Sequence, residues 1–137
     1  MNVLILLAAI AIVETGDINH PELGPNDTKI GRSHREVSRY QFKPGTWAQY
    51  ATLRSSLYQD PEYARRIALL HIKTIKTQLN PSQRQDVRAY AACWNMGNTG
   101  YRNHGERFEK LPRQVQRHVL KVERKYNELI AKQKLNR

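Results

Sequence analysis

The sequence predicts a mostly α fold in one domain spanning residues 1–137, and three observations carry that prediction. Apolar side chains recur at helical spacing in several windows, of which Ala64, Ile67, Ala68, Ile72, Ile75 and Leu79 form the clearest. Helix start and stop signals flank these windows, among them Asp60-Pro61 and Asn80-Pro81. Strand character is confined to one short piece, Ser38-Arg39-Tyr40-Gln41-Phe42. A chain of 137 residues is long enough to bury a real core in one unit.

The elements follow in order. Residues 2–15 hold an unbroken apolar stretch from Val3 to Val13 and end at Gly16, a natural left-handed helix terminator. They form the first helix on this reading. The competing one is a signal peptide ending near Ala9 or Ala11, but no Lys or Arg precedes the apolar run. The run is also too short to span a bilayer. From Asp17 to Arg35 the chain is polar and broken by Pro21, Gly24, Pro25 and Gly31, which predicts an irregular loop or small hairpin. Lys43-Pro44-Gly45 makes a turn, and Thr46 caps a helix running to about Leu57. Asp60 caps the next helix, which runs to Leu79 with His71 on its apolar face. Ser82 and Gln85 suggest a capping box for a helix carrying Val87, Tyr90, Ala91 and Trp94. The turn-rich run from Asn95 to Gly100 predicts its end. The last helix starts near Pro112 and reaches about Ala131, with Val115, Val119, Val122, Tyr126, Leu129 and Ile130 inward.

Composition narrows the partners. Net charge is +11, which favours an anionic partner such as nucleic acid, an acidic membrane face or a bacterial wall. Cys93 is the one cysteine, so no internal disulfide can form. The five histidines show no metal-ligand spacing, and no phosphate-binding glycine loop occurs. No metal and no cofactor is expected, nor a transmembrane segment. A monomer is expected.

Three groups of residues could carry chemistry. Glu14 stands alone at the end of the apolar helix, followed by the polar loop. An ionised carboxylate is costly to bury without a partner, so a buried Glu14 would favour its protonated form. That is the state a glycosidase acid needs. The second group is Ser38, Tyr40 and Gln41 beside Glu36. The third runs from Tyr90 to Tyr101 through Trp94, Asn95 and Asn98. Aromatic faces with amides and hydroxyls suit sugar rings, although such lining is general to small-molecule pockets. Core packing explains Tyr90 and Trp94 equally well.

Taken in order, the motifs resemble soluble lytic transglycosylases and goose-type lysozymes. Val13-Glu14-Thr15-Gly16 resembles the Glu-Ser motif that closes that family's first catalytic helix. Gly31 through Phe42, followed by Pro44 and Trp47, is similar to its Gly-Leu-Met-Gln segment. Ala92-Cys93-Trp94-Asn95-Met96-Gly97 resembles its Ala-Tyr-Asn-Ala-Gly motif, and Leu111-Pro112 with Val119 and Tyr126 its closing helix. The likeness covers residues 7 to 127.

The resemblance implies a lysozyme-like helical domain with the loop beside an active-site cleft. It further implies cleavage of the β-1,4 bond between N-acetylmuramic acid and N-acetylglucosamine in peptidoglycan. Glu14 would be the catalytic acid/base. Glu36 is the best candidate second carboxylate, ahead of Asp17, Glu22 and Asp27. Ser38, Tyr40, Gln41, Tyr90, Trp94, Asn95 and Tyr101 would line the saccharide site. The family's Ser, Met and two Ala positions hold Thr15, Tyr40, Cys93 and Met96 here, which puts subsite preference in doubt. The expected partners are peptidoglycan glycan strands and anionic wall polymers, in the periplasm or outside the cell. A one-carboxylate transglycosylase is favoured over a hydrolytic muramidase. A non-enzymatic basic protein binding wall or nucleic acid is the remaining alternative. A nucleic-acid partner would leave Glu14, Gln41 and Asn95 without a role.

Overall fold

A computed structural model describes residues 1–16, 38–50 and 60–136. Among them lie five α-helices: α1 (Val3–Thr15), α2 (Pro44–Ala48), α3 (Pro61–Gln78), α4 (Val87–Asn103) and α5 (Arg113–Leu135). The described residues contain no strand, so the mostly α expectation holds. No described helix is long and apolar enough to cross a membrane.

α1 is apolar on every side, and Leu6, Leu7, Ala9, Ile10, Ala11 and Ile12 are all buried. A helix without a polar face belongs inside a core. Asn2 caps it by accepting from the Ile5 amide, and Gly16 ends it at φ 73°, where its amide donates to the Ile12 carbonyl. α5 lies along both α1 and α4, while α3 touches α4 and α1. The inward stripe of α5 is Val115, Val119 and Val122. Tyr126, further along that stripe, accepts a hydrogen bond from the Asn2 amide at 2.8 Å and fastens α5 to the start of α1. Buried residues of α1, α3, α4 and α5 share one core cluster with Tyr40, Phe42 and Trp47.

α3 begins as its sequence predicts. The Asp60 carboxylate accepts from the Glu62 amide at 3.0 Å, and Pro61 occupies the first turn. Other elements differ from expectation. Residues 38–41 form a tight turn rather than a strand, and Phe42 makes only an isolated bridge. Ser38 and Gln41 both have positive φ, 68° and 50°, and the Gln41 amide donates to the Ser38 carbonyl. The Ser38 hydroxyl accepts from the Tyr40 amide at 3.2 Å, a local bond that competes with strand pairing. α2 is capped at Lys43, not Thr46, with Pro44 in its first turn. Its predicted extension to Leu57 runs into residues 51–59, outside the described residues. The cap of α4 is Asp86, whose carboxylate accepts from the Arg88 amide at 2.9 Å; Ser82 sits instead in a 3-10 turn over Pro81–Gln83. Finally, α4 does not stop at Asn95–Gly100. It bends at Gly97 (φ 80°, ψ 161°) and continues to Asn103. That backbone conformation is open to glycine alone, so one residue absorbs the whole kink.

Candidate active site

Glu14 sits in the last turn of α1, with 22% of its side chain exposed. The buried helix beneath fixes its direction, and the Thr15 hydroxyl donates to the Ala11 carbonyl at 2.7 Å within the same turn. Opposite Glu14 is His118 of α5, with Nε2 3.5 Å from Glu14 Oε1. The two groups are close without forming a hydrogen bond, and His118 Nε2 is sealed from solvent with no other partner. Burial lowers the His118 pKa, and the Lys121 charge lowers it further. The ring is therefore neutral near pH 7. Sequence reading missed His118 as a site residue. Its signal was available, because it falls three residues after Val115 and four before Val122, on the inward stripe.

The second region is built on the turn at residues 38–41. Tyr40 and Phe42 are buried beneath it, and the Trp94 indole N–H donates to the Tyr40 carbonyl at 3.3 Å. Trp94 also packs against Phe42 (ring centroids 5.3 Å) and His71 (4.9 Å). His71 Nδ1 lies 3.0 Å from the Tyr50 hydroxyl, and burial pushes its pKa down to about 4. A neutral His71 thus holds the aromatic cluster together, in keeping with its expected core role. Gln41 is half-buried and its amide donates to the Ser38 carbonyl at 2.7 Å. Asn95 follows Trp94 on α4. It is half-buried, and its side chain makes no hydrogen bond to the described residues.

The predicted site residues therefore divide. Glu14, Gln41, Trp94 and Asn95 keep accessible surface. Ser38 and Tyr40 are buried and can act only by shaping the turn. Tyr90 and Tyr101 are corrected from sugar-stacking candidates to core residues, being 1% and 4% exposed. The Tyr90 hydroxyl donates to the Arg84 carbonyl at 2.9 Å, and the Tyr101 hydroxyl lies 3.1 Å from both Gln83 Oε1 and the Glu106 carbonyl. Burial raises both phenols, Tyr101 to about 12. The helical spacing of Tyr90 with Val87 and Trp94 signalled burial, but Tyr101 lay beyond the expected helix end, and the long-range hydrogen-bond partners of both could not be read. Asn98, beyond the kink, donates from its amide to Gln78 Oε1. Cys93 is buried and its thiol is pushed up to about 12, which makes it a poor nucleophile. No group of side chains able to hold a metal ion occurs among the described residues. Glu36, Asp17, Glu22, Asp27 and the predicted loop lie outside the described residues.

Chemically, the contact of α1 with α5 offers a partly buried carboxyl group beside a neutral imidazole, and the turn before α2 with α4 offers an aromatic cluster edged by amides. Comparison with known family models, curated proteins and solved structures finds no match to this chain.

Proposed function

We propose that this protein cleaves the β-1,4 MurNAc-GlcNAc bond of peptidoglycan as a lytic transglycosylase, with Glu14 as the catalytic acid/base. One observation carries the reading. The Glu14 carboxyl group, in the last turn of the largely buried helix α1, keeps 22% of its side chain exposed and stands 3.5 Å from the neutral His118 ring. Partial desolvation disfavours the charged form of a carboxyl group, which is the direction a glycosidase acid needs. The motif order described above supports the same assignment.

In this reaction Glu14 donates its proton to the glycosidic oxygen as the C1–O bond breaks. The acetamido oxygen of the muramic acid residue supports the electron-poor C1. The Glu14 carboxylate then takes the proton of the sugar's own C6 hydroxyl, whose oxygen attacks C1 and closes a 1,6-anhydro ring. Glu14 ends protonated, and no water is consumed. Gln41 and Asn95 would hydrogen-bond the sugar, and Trp94 would offer its free edge to a ring face. The +11 charge would concentrate the protein at an anionic wall in the periplasm or outside the cell.

The test is mass spectrometry of muropeptides after digestion of purified peptidoglycan. Anhydro products from the wild type, lost by roughly 10²- to 10⁴-fold in Glu14→Gln with an unchanged melting temperature, are expected. Reducing-end products would make it a hydrolytic muramidase with a second carboxylate, for which Glu36 is the candidate. Glu14→Gln at wild-type rate would refute the role given to Glu14.

A further inference from the structure

α5 presents a row of cations that the proposed reaction leaves unused. The helix carries seven Lys and Arg against two Glu, and its first turn holds no acid. Arg113, Arg117, Lys121 and Arg124 are all exposed, and their spacing of four, four and three residues keeps them on one face. That face lies opposite the buried stripe of Val115, Val119 and Val122. We propose that this row is a docking surface for a linear phosphodiester polymer of the cell wall, of the poly(glycerol phosphate) kind. The choice of a wall polymer rests on the reading of this protein as a peptidoglycan-cleaving enzyme.

The acids of the helix do not occupy this row. Glu123 pairs with Arg88 of α4 at 2.7 Å, and Glu128 pairs with Lys125 at 2.5 Å. None of the four cations makes an ion pair or hydrogen bond with a described residue. Like charges three and four residues apart repel one another, at a cost that a bound anion removes. Three of the four are Arg, whose planar fork suits the two free oxygens of a phosphodiester. Successive cations stand about 4.5 to 6 Å apart along the helix axis. A chain with one phosphate per short repeat can therefore meet each of them.

Three features single out this occupant. The row runs past the candidate site, since Lys121 is close enough to His118 to lower its pKa, and His118 Nε2 is 3.5 Å from Glu14 Oε1. A wall polymer on the row would lie beside the glycan strand given to Glu14. No aromatic residue shares the exposed face, so nucleic-acid bases would find nothing there to stack on. The one aromatic residue of α5, Tyr126, is turned to the Asn2 amide. Leu120 is the one large apolar side chain exposed within the stretch, at 36%, which is too little to enter a bilayer. The carboxylates of peptidoglycan itself hang on flexible peptide branches and lack a regular repeat along the chain.

The experiment measures binding of fluorescently labelled poly(glycerol phosphate) to the full chain by anisotropy over a range of salt. Two variants of equal net charge are compared. One removes the row through Arg113→Gln, Arg117→Gln, Lys121→Gln and Arg124→Gln. The other removes four exposed cations elsewhere through Arg66→Gln, Lys73→Gln, Lys76→Gln and Lys110→Gln. The row variant should bind about ten-fold or more weakly than the wild type, and its log–log salt slope should shrink by about 3, at about 0.7 per phosphate. The scattered variant should lose no more than about three-fold, because distant charges are screened. Equal losses would overturn the proposal, since net charge alone would then explain binding. Tighter wild-type binding to a single-stranded oligonucleotide or to phosphatidylglycerol vesicles, at equal phosphate concentration, would also overturn it. Exposed Gln is a good helix former, so both variants should fold. If the row variant does not, Arg113→Gln with Arg117→Gln decides, against Lys73→Gln with Lys76→Gln. Polymer binding by a protein that releases no muropeptides would leave the row standing and bring down the transglycosylase reading. Muropeptide release without polymer binding would do the reverse.

Discussion

Acid should loosen the aromatic platform before it titrates the carboxylates, and His71 sets the pH. In the folded protein its pKa is near 4, against the ordinary 6.5 of an unfolded chain. Below 6.5 the unfolded state binds the proton more readily, so His71 stabilises the fold fully above that pH and progressively less as pH falls toward 4. Integrating between these two values gives a loss of about 2 kcal/mol by pH 5. His118 is displaced in the same direction, so its contribution adds to the loss. The measurement is urea unfolding between neutral pH and pH 5 for the wild type and His71→Phe. The variant loses the Tyr50 contact, so its absolute stability is not the readout. The pH slope is. The wild type should fall by about 2 kcal/mol more than the variant over that interval. Parallel slopes would show that His71 is not held neutral by burial, and the account of the Trp94 cluster would fall with it.

Four further outcomes follow from the packing and the turns. Ile10→Ala, at a position with no exposure in α1, should cost about 2–5 kcal/mol in denaturant unfolding. Asn95→Ala should lower muropeptide release while leaving the melting temperature in place, because Asn95 bonds no described residue. Gln41→Ala should lower activity and also cost about 1 kcal/mol of stability, since its amide braces the Ser38 turn at 2.7 Å. Gly97→Ala should cost about 1–3 kcal/mol through backbone strain alone, because a Cβ there would meet no atom within 4 Å; an unchanged melting temperature would show that α4 can run straight.

The elements whose local chemistry agrees with their tertiary role were legible. α1 follows from an apolar run closed by Gly16, α3 from Asp60, Pro61 and its stripe, and α5 from the valines at 115, 119 and 122. Elements set by competition between local and distant bonds were not. Residues 95–100 carry turn chemistry throughout, yet packing on both sides keeps them helical and leaves only Gly97 to bend. Ser38 and Gln41 gave no sign of positive φ, since that geometry depends on side chains that bond back to the local backbone. In the site, Glu14 stood out because a carboxylate ending an apolar helix has few alternatives. The commitment of the Tyr90 and Tyr101 hydroxyls, and the meeting of Glu14 with His118, depend on which helices lie together. No local pattern encodes that.

α1 leaves the ribosome before α3, α4 and α5, but α5, the last of them, is the helix along which it packs. Its apolar faces therefore have no permanent cover until nearly the whole described chain has emerged. Loop-closure entropy across that separation opposes early docking, so folding should be slow for a helical protein of this size. During the wait, a helix without a polar side is a natural client for any apolar surface in the cell, whether chaperone, membrane face or another nascent chain. The feature that seats Glu14 so firmly once folding is complete is also the feature that makes the route there the most exposed part of this protein's life.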